Sequence, residues 1–127
     1  MRAFAFSLLL SLPAFAAEPP LPAKISFNRD IRPIMSDTCF HCHGFDPKTR
    51  EAGLRLDIRE AAITATEDGV VGIVPGDPAK SEIIARIFDE EDPMPPEKAH
   101  KPLTPRQKAL FKQWVAEGAV YEPHWAY

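Results

Sequence analysis

Proline constrains what this chain can fold into more than any other feature of its composition. The 127 residues contain fourteen prolines against six glycines. Because proline fixes φ and lacks an N–H donor, it interrupts helices and central strands, so we expect short elements joined by stiff connections. A loop-rich domain of this length buries a small hydrophobic core and usually needs a disulfide, a metal or a cofactor to stabilise it. The chain has two cysteines, which excludes a framework of several disulfides.

Residues 1–16 have the pattern of a secretory signal peptide. Arg2 provides the positive charge, residues 3–12 are mostly apolar, and Ala14 and Ala16 fit the small-x-small rule for cleavage. The apolar run is too short to span a bilayer comfortably, so we expect cleavage near Ala16 rather than a retained anchor. The prediction is an exported mature chain in the periplasm or cell envelope that does not span a membrane. Residues 17–25 would form a linker and residues 26–127 a single domain.

Apolar periodicity and capping residues predict four helices and no strands, and therefore an all-α fold class. The predicted segments run from about Ser26 to Thr38, from Ile58 to Thr64, from Pro78 to about Phe88 and from Pro105 to about Gly118. The expected N-caps of the last three are Asp57, Asp77 and Thr104. Pro33 predicts a kink or a late start in the first helix. The buried faces are expected to comprise Ile83, Ile84, Ile87 and Phe88 in the third helix and Leu110, Phe111, Trp114 and Val115 in the fourth.

The sequence Cys39-Phe40-His41-Cys42-His43 is the Cys-x-x-Cys-His attachment pattern of c-type haem. Two thiols on one turn of backbone can reach the two vinyl groups on one edge of a porphyrin. The adjacent imidazole then presents a nitrogen to the iron. We therefore predict one covalent haem c per chain, attached through Cys39 and Cys42, with His43 as an axial ligand of the iron.

Two other uses of this segment are open from the residues alone. Cys39 and Cys42 of an exported chain could form a disulfide, although a thioredoxin-like enzyme needs a βαβ frame that the sequence does not predict. The four side chains of Cys39, His41, Cys42 and His43 could instead bind zinc or copper. Structural zinc sites usually draw their ligands from two separated pairs, and no second pair is present in this sequence.

A haem that carries electrons needs a second axial ligand, and Met94 is the best candidate. It lies far beyond His43 in the sequence, so the chain can pass around the macrocycle and return on the other face. The flanking Pro93, Pro95 and Pro96 predict a stiff, extended strap that holds the thioether over the ring. His100 is the alternative in the same loop. Weaker candidates are Met35 and His41, which are tied to the attachment side, and His124, which lies near the end of the chain.

The charged residues predict further contacts. Arg55 is the best candidate for binding a haem propionate, because it lies in an extended segment after the attachment motif; Lys48, Arg50 and Arg59 are alternatives. Residues 89–92 are all acidic, which indicates either a solvated loop or a docking patch for a basic partner. The net charge of −3 gives no reason to expect a nucleic-acid partner.

The sequence also resembles planctomycete-type cytochrome c domains. The resemblance covers nearly the whole mature chain and depends on the residues 27–34 before Cys39, on Gly44 and Asp46-Pro47, and on residues 52–57, 74–78, 94–96, 99–104 and 122–125. It implies an α-helical cytochrome c fold, covalent haem c, His43 as proximal ligand and Met94 as distal ligand. In that family the domain usually opens a longer protein, so the chain is expected to be either a single-domain form or part of a longer parent with further domains.

The predicted function is single-electron transfer by a c-type cytochrome module with a redox partner protein, rather than catalysis. Two alternatives are a haem-containing enzyme or gas sensor, which needs an open axial position, and an interaction domain in which haem only braces the fold. No feature of the sequence identifies the electron donor or the electron acceptor.

Overall fold

The computed structural model describes residues 16–124 and confirms a small, helical, loop-rich domain. Four α-helices are present in this part of the chain: α1 (Arg32–Thr38), α2 (Arg59–Ala62), α3 (Glu82–Ile87) and α4 (Pro105–Ala116). A π-helical turn, Phe27–Ile31, precedes α1, and 3₁₀ turns span Pro78–Lys80 and Glu97–Ala99. The β-type pairing found within residues 16–124 is an isolated bridge between Ala65 and Val71. Most of the signal peptide predicted for residues 1–16 lies outside the described residues.

The first predicted helix is confirmed, but it changes its hydrogen-bonding pattern along its length. Ser26 accepts the N–H of Arg29 on its side chain, as expected of an N-cap. The chain then makes a π turn before α1 begins at Arg32, and Pro33 lies in the first turn of α1. Because the first turn needs no N–H donor, proline is tolerated there. The irregularity predicted around Pro33 therefore takes the form of a change from π to α geometry.

Helix α4 packs against the π turn and forms the centre of the core. Its N-terminus is the predicted capping box, in which Thr104 and Gln107 bind each other's backbone N–H groups. All four residues of the predicted apolar face are buried. Trp114 stacks on Phe27 with 5.5 Å between ring centroids, and Tyr121 lies 4.4 Å from the same Phe27 ring. The predicted assignment of Trp114 to the core is confirmed.

Three predictions about α2 and α3 are wrong. Asp57 does not cap α2, because its carboxylate binds the guanidinium of Arg55 instead, and the helix begins at Arg59 without a side-chain cap. The third helix is not continuous from Pro78. Asp77 caps the 3₁₀ turn, the backbone of the buried Ser81 is extended, and α3 begins only at Glu82. Phe88 ends α3 with 46% of its surface exposed, so it is not part of the buried stripe.

The segments at both ends of the described chain pack onto the helices. The carbonyl groups of Pro19 and Pro20 accept hydrogen bonds from Arg106 on α4, and Pro22 accepts one from Gln113. The segment predicted to be a linker therefore contacts the domain. At the other end, Glu122 accepts hydrogen bonds at the start of the π turn. Within residues 16–124, the helices are all too short or too polar to cross a membrane.

Candidate functional site

The five residues 39–43 form tight turns that continue directly from α1. The N–H groups of Cys39 and Phe40 both donate to the carbonyl of Met35, at 2.8 and 2.9 Å. The N–H groups of Cys42 and His43 donate to the carbonyl of Cys39, at 3.2 and 2.9 Å. Both thiols and the His43 ring therefore belong to one compact turn anchored to α1. Met35 itself is fully buried in the core.

A rigid loop follows the attachment turn. Gly44 approaches the Phe40 carbonyl so closely that an added Cβ would overlap that oxygen. Arg50 then donates from Nε to the Gly44 carbonyl and from Nη2 to the Phe45 carbonyl, at 3.0 and 2.8 Å. Thr49 donates to the carbonyl of His41. These bonds fold residues 44–50 back onto the attachment turn, so Arg50 has a structural role beside it.

His43 is held in the form that a metal ligand needs. Its Nδ1 lies 3.3 Å from the carbonyl of Leu54, and its own carbonyl accepts the N–H of Leu56 at 2.8 Å. Burial lowers the pKa of His43, which favours the neutral imidazole. A neutral ring that donates from Nδ1 to a carbonyl leaves Nε2 as an acceptor with a lone pair, the usual arrangement of a metal-bound histidine. The residues present therefore fit a haem iron at Nε2.

The two cysteines are free thiols, and both are half-buried. Burial raises the pKa of the Cys39 thiol, whereas cysteines that act in thiol–disulfide exchange have a lowered pKa. Among residues 16–124, no group of three or more His, Cys, Asp or Glu side chains is arranged to hold a metal ion. The described residues therefore show neither an exchange-active thiol at Cys39 nor a cluster of side chains arranged to hold zinc.

The candidate distal ligands line one cavity. A pocket of about 490 Å³ lies between the end of α3 and the 93–103 loop, and both Met94 and His100 contribute to its wall. Ile87 and Leu103 provide apolar surface to the same wall. Met94 is half-buried, whereas His100 is exposed. The residues of the attachment turn are not in this wall.

Two connections fix the distal loop, one to the helix that precedes the attachment turn and one to α3. Lys101 donates to the carbonyl and the carboxylate of Asp37, at 2.9 and 2.8 Å, and Asp37 lies two residues before Cys39. At the other end of the loop, the N–H of Met94 donates to the carbonyl of Arg86 at 3.0 Å. The loop that carries Met94 and His100 is thus fixed at one end to α1 and at the other to α3.

Arg55, the predicted propionate ligand, lies in the segment that contacts His43. Its guanidinium makes a two-point ion pair with Asp57, at 3.0 and 2.7 Å. This pairing leaves the propionate role of Arg55 a prediction. Arg59, one of its alternatives, donates to the carbonyls of Gly118 and Ala119 near the end of α4.

Sequence reasoning missed three contributors to the site. They are the Leu54 carbonyl at His43, the Lys101–Asp37 ion pair and the Arg86–Asp92 ion pair just before Met94. A backbone carbonyl carries no sequence signal. The other two are pairs of oppositely charged residues separated by loops, and no local pattern identifies which charges will meet.

Comparison with known proteins adds one finding. A family model described as planctomycete cytochrome C matches residues 39–98 of the chain. The match begins at the first cysteine of the attachment pattern and extends past Met94, so the predicted resemblance is confirmed over this segment. No curated protein and no solved structure matches the chain.

Proposed function

Since residues 39–98 match the planctomycete cytochrome C family, we propose that this chain is a c-type cytochrome of the cell envelope. It binds one covalent haem c and transfers single electrons between partner proteins. The observation that carries this proposal is the position of His43, which follows the second cysteine and places its Nδ1 3.3 Å from the Leu54 carbonyl, so that Nε2 is left for the iron.

Each part of the site has a separate task in this proposal. Cys39 and Cys42 would hold the haem through thioether bonds, on a turn that is anchored to α1. His43 would provide the proximal nitrogen, and the Leu54 carbonyl fixes which ring nitrogen is available. The haem would supply the one-electron chemistry, and Ile87 and Leu103 would contribute apolar surface to the cavity wall that contains Met94.

Met94 is the proposed distal ligand. A thioether is a soft ligand that raises the reduction potential relative to a second imidazole. Met94 is half-buried in the cavity wall and its backbone is bonded to α3, whereas His100 is exposed. A ligand that must hold a fixed position over the ring is better placed at Met94 than at His100.

A matched pair of variants tests the distal assignment. Met94→Ala is expected to retain covalent haem but to bind carbon monoxide rapidly when reduced, because the sixth coordination position has lost its ligand. His100→Ala, from the same loop, is expected to bind carbon monoxide as slowly as the unmodified protein. The reverse pattern would assign the ligand to His100. Rapid binding by the unmodified protein would instead favour a sensor or enzyme with an open position.

The interpretation of the chain as a c-type cytochrome also leads to a proposed location and to proposed partners. Residues 1–16 would direct export, and haem c is attached outside the cytoplasm in bacteria. The electron donor and acceptor are proposed to be proteins. If the chain is part of a longer parent protein, the further domains would hold this domain next to the electron donor or the electron acceptor.

A further inference from the structure

Arg86, in the last turn of α3, makes three hydrogen bonds that shape the loop before Met94. Its Nε donates to the carbonyl of Asp92 at 3.2 Å, and its Nη2 donates to the Asp92 carboxylate at 2.8 Å. Its carbonyl accepts the N–H of Met94 at 3.0 Å. The backbone and the side chain of one residue therefore close the loop from residue 86 to residue 94.

The acidic run between these two points is a built turn rather than a free patch. Asp89 accepts the N–H groups of Glu91 and Asp92 on one carboxylate oxygen, at 2.8 and 3.0 Å. Asp92 is the partner of Arg86. Two of the four acidic residues thus make hydrogen bonds within the loop, and these bonds set the direction in which the backbone approaches Met94.

The charge of Arg86 lies beside the segment that leads into Met94, because its guanidinium contacts Asp92, two residues before Met94. The Arg86 side chain is 30% exposed, whereas that of its partner Asp92 is 77% exposed. Water therefore screens the carboxylate better than the cation, and a positive charge remains beside Met94, the predicted distal ligand.

We propose that Arg86 is a positioning residue for Met94 and that its positive charge raises the reduction potential of the haem iron. This inference rests on the proposed function. A fixed loop keeps the thioether over the ring in both oxidation states. A nearby cation disfavours the ferric form, which carries one more positive charge than the ferrous form, so removing the cation lowers the potential.

Three variants of the full-length holoprotein separate the two roles. Arg86→Gln removes the charge and one of the two donors, and Arg86→Lys keeps the charge but loses the two-point contact. Asp92→Asn removes the opposing charge while leaving its backbone carbonyl for Arg86. Arg106→Gln is the control, because it removes an equal charge from a residue that binds Pro19 and Pro20 and does not line the cavity.

The measurements are the reduction potential, the far-red charge-transfer band of methionine-ligated ferric haem and the rate of carbon monoxide binding. Arg86→Gln is expected to lower the potential and Asp92→Asn to raise it, with both shifts shrinking as salt rises. Arg86→Lys is expected to keep the potential near that of the unmodified protein. Both Arg86 variants are expected to bind carbon monoxide about tenfold faster, the effect of losing one charge-assisted hydrogen bond.

The electrostatic role is refuted if Arg86→Gln and Asp92→Asn shift the potential in the same direction, or if Arg86→Gln shifts it no more than Arg106→Gln. The positioning role is refuted if the charge-transfer band and the carbon monoxide rate do not change in either Arg86 variant. A pyridine haemochrome assay on every variant keeps this test separate from the proposed function. Absence of covalent haem in the unmodified protein would refute the function, whereas haem with unresponsive variants would refute this inference alone.

Discussion

Replacing Glu122 by alanine is expected to destabilise the domain through the first helix, although the two lie at opposite ends of the chain. The Glu122 carboxylate accepts the Phe27 N–H at 2.9 Å, and the Asn28 N–H and Ser26 hydroxyl at 3.3 Å each. These donors lie at the start of the π turn, where helical N–H groups have no partner within the helix. The variant would leave them without the carboxylate acceptor.

The size of the effect follows from these contacts. One short bond to a charged acceptor contributes about 1.5–3 kcal/mol, and the two longer bonds add less. Partial exposure of the site reduces the total, so we expect a loss of about 2 kcal/mol, comparable with the largest effects of removing an N-cap. For a domain of this size, such a loss lowers Tm by roughly 10 °C. Glu122→Gln keeps one acceptor oxygen and is expected to lose about 1 kcal/mol.

Urea denaturation of the holoprotein, followed by circular dichroism, measures these differences. Glu67→Ala is the matched control, because Glu67 is an exposed loop carboxylate that has neither an ion pair nor a side-chain hydrogen bond within residues 16–124. It is expected to change stability by less than about 0.5 kcal/mol. A change for Glu122→Ala within that same range would show that the carboxylate does not stabilise the start of the helix.

Three further predictions concern the site and its support. Gly44→Ala is expected to lower the yield of covalent haem per chain, because the added Cβ overlaps the Phe40 carbonyl. The yield is measured by pyridine haemochrome against protein mass, and an unchanged yield would contradict the close approach of Gly44 to that carbonyl. Tyr121→Phe is expected to lose about 1 kcal/mol in urea denaturation, because the Tyr121 hydroxyl donates to the Leu56 carbonyl at 2.7 Å; no loss would mean that this bond adds nothing to stability. The hydrogen bond from Arg55 lowers the pKa of Asp57, so the stability it contributes is present above about pH 4 and is lost as pH falls through the folded-state pKa. The stability difference between the unmodified protein and Asp57→Asn is therefore expected to shrink as the pH falls below about 4, and a constant difference would contradict the assignment.

Local signals predicted α4 well because its determinants are close together in sequence. The capping box needs Thr104 and Gln107, and the apolar face repeats every three or four residues up to Val115. The attachment turn is similarly local, since its bonds run between residues 35 and 43. Such features need no knowledge of the rest of the fold.

The errors occurred where a distant or competing partner decided the outcome. Asp57 has the right position for an N-cap, but the guanidinium of Arg55 forms two charge-assisted bonds with it. Ser81 interrupts the third helix because its hydroxyl donates to the Asp77 carbonyl and accepts the Val74 N–H. The sequence identified Glu122 only as part of the family resemblance, because the residues that donate hydrogen bonds to it lie more than ninety positions away along the chain.

Detection of covalent haem decides whether this chain is a c-type cytochrome. The full chain would be produced in a host that matures haem c, extracted with acidified acetone and examined as the pyridine haemochrome. We expect a c-type spectrum that survives extraction, with one haem per chain, and no such spectrum for the Cys39→Ala, Cys42→Ala double variant. An unmodified protein without haem, from a host that loads another c-type cytochrome normally, would contradict this expectation.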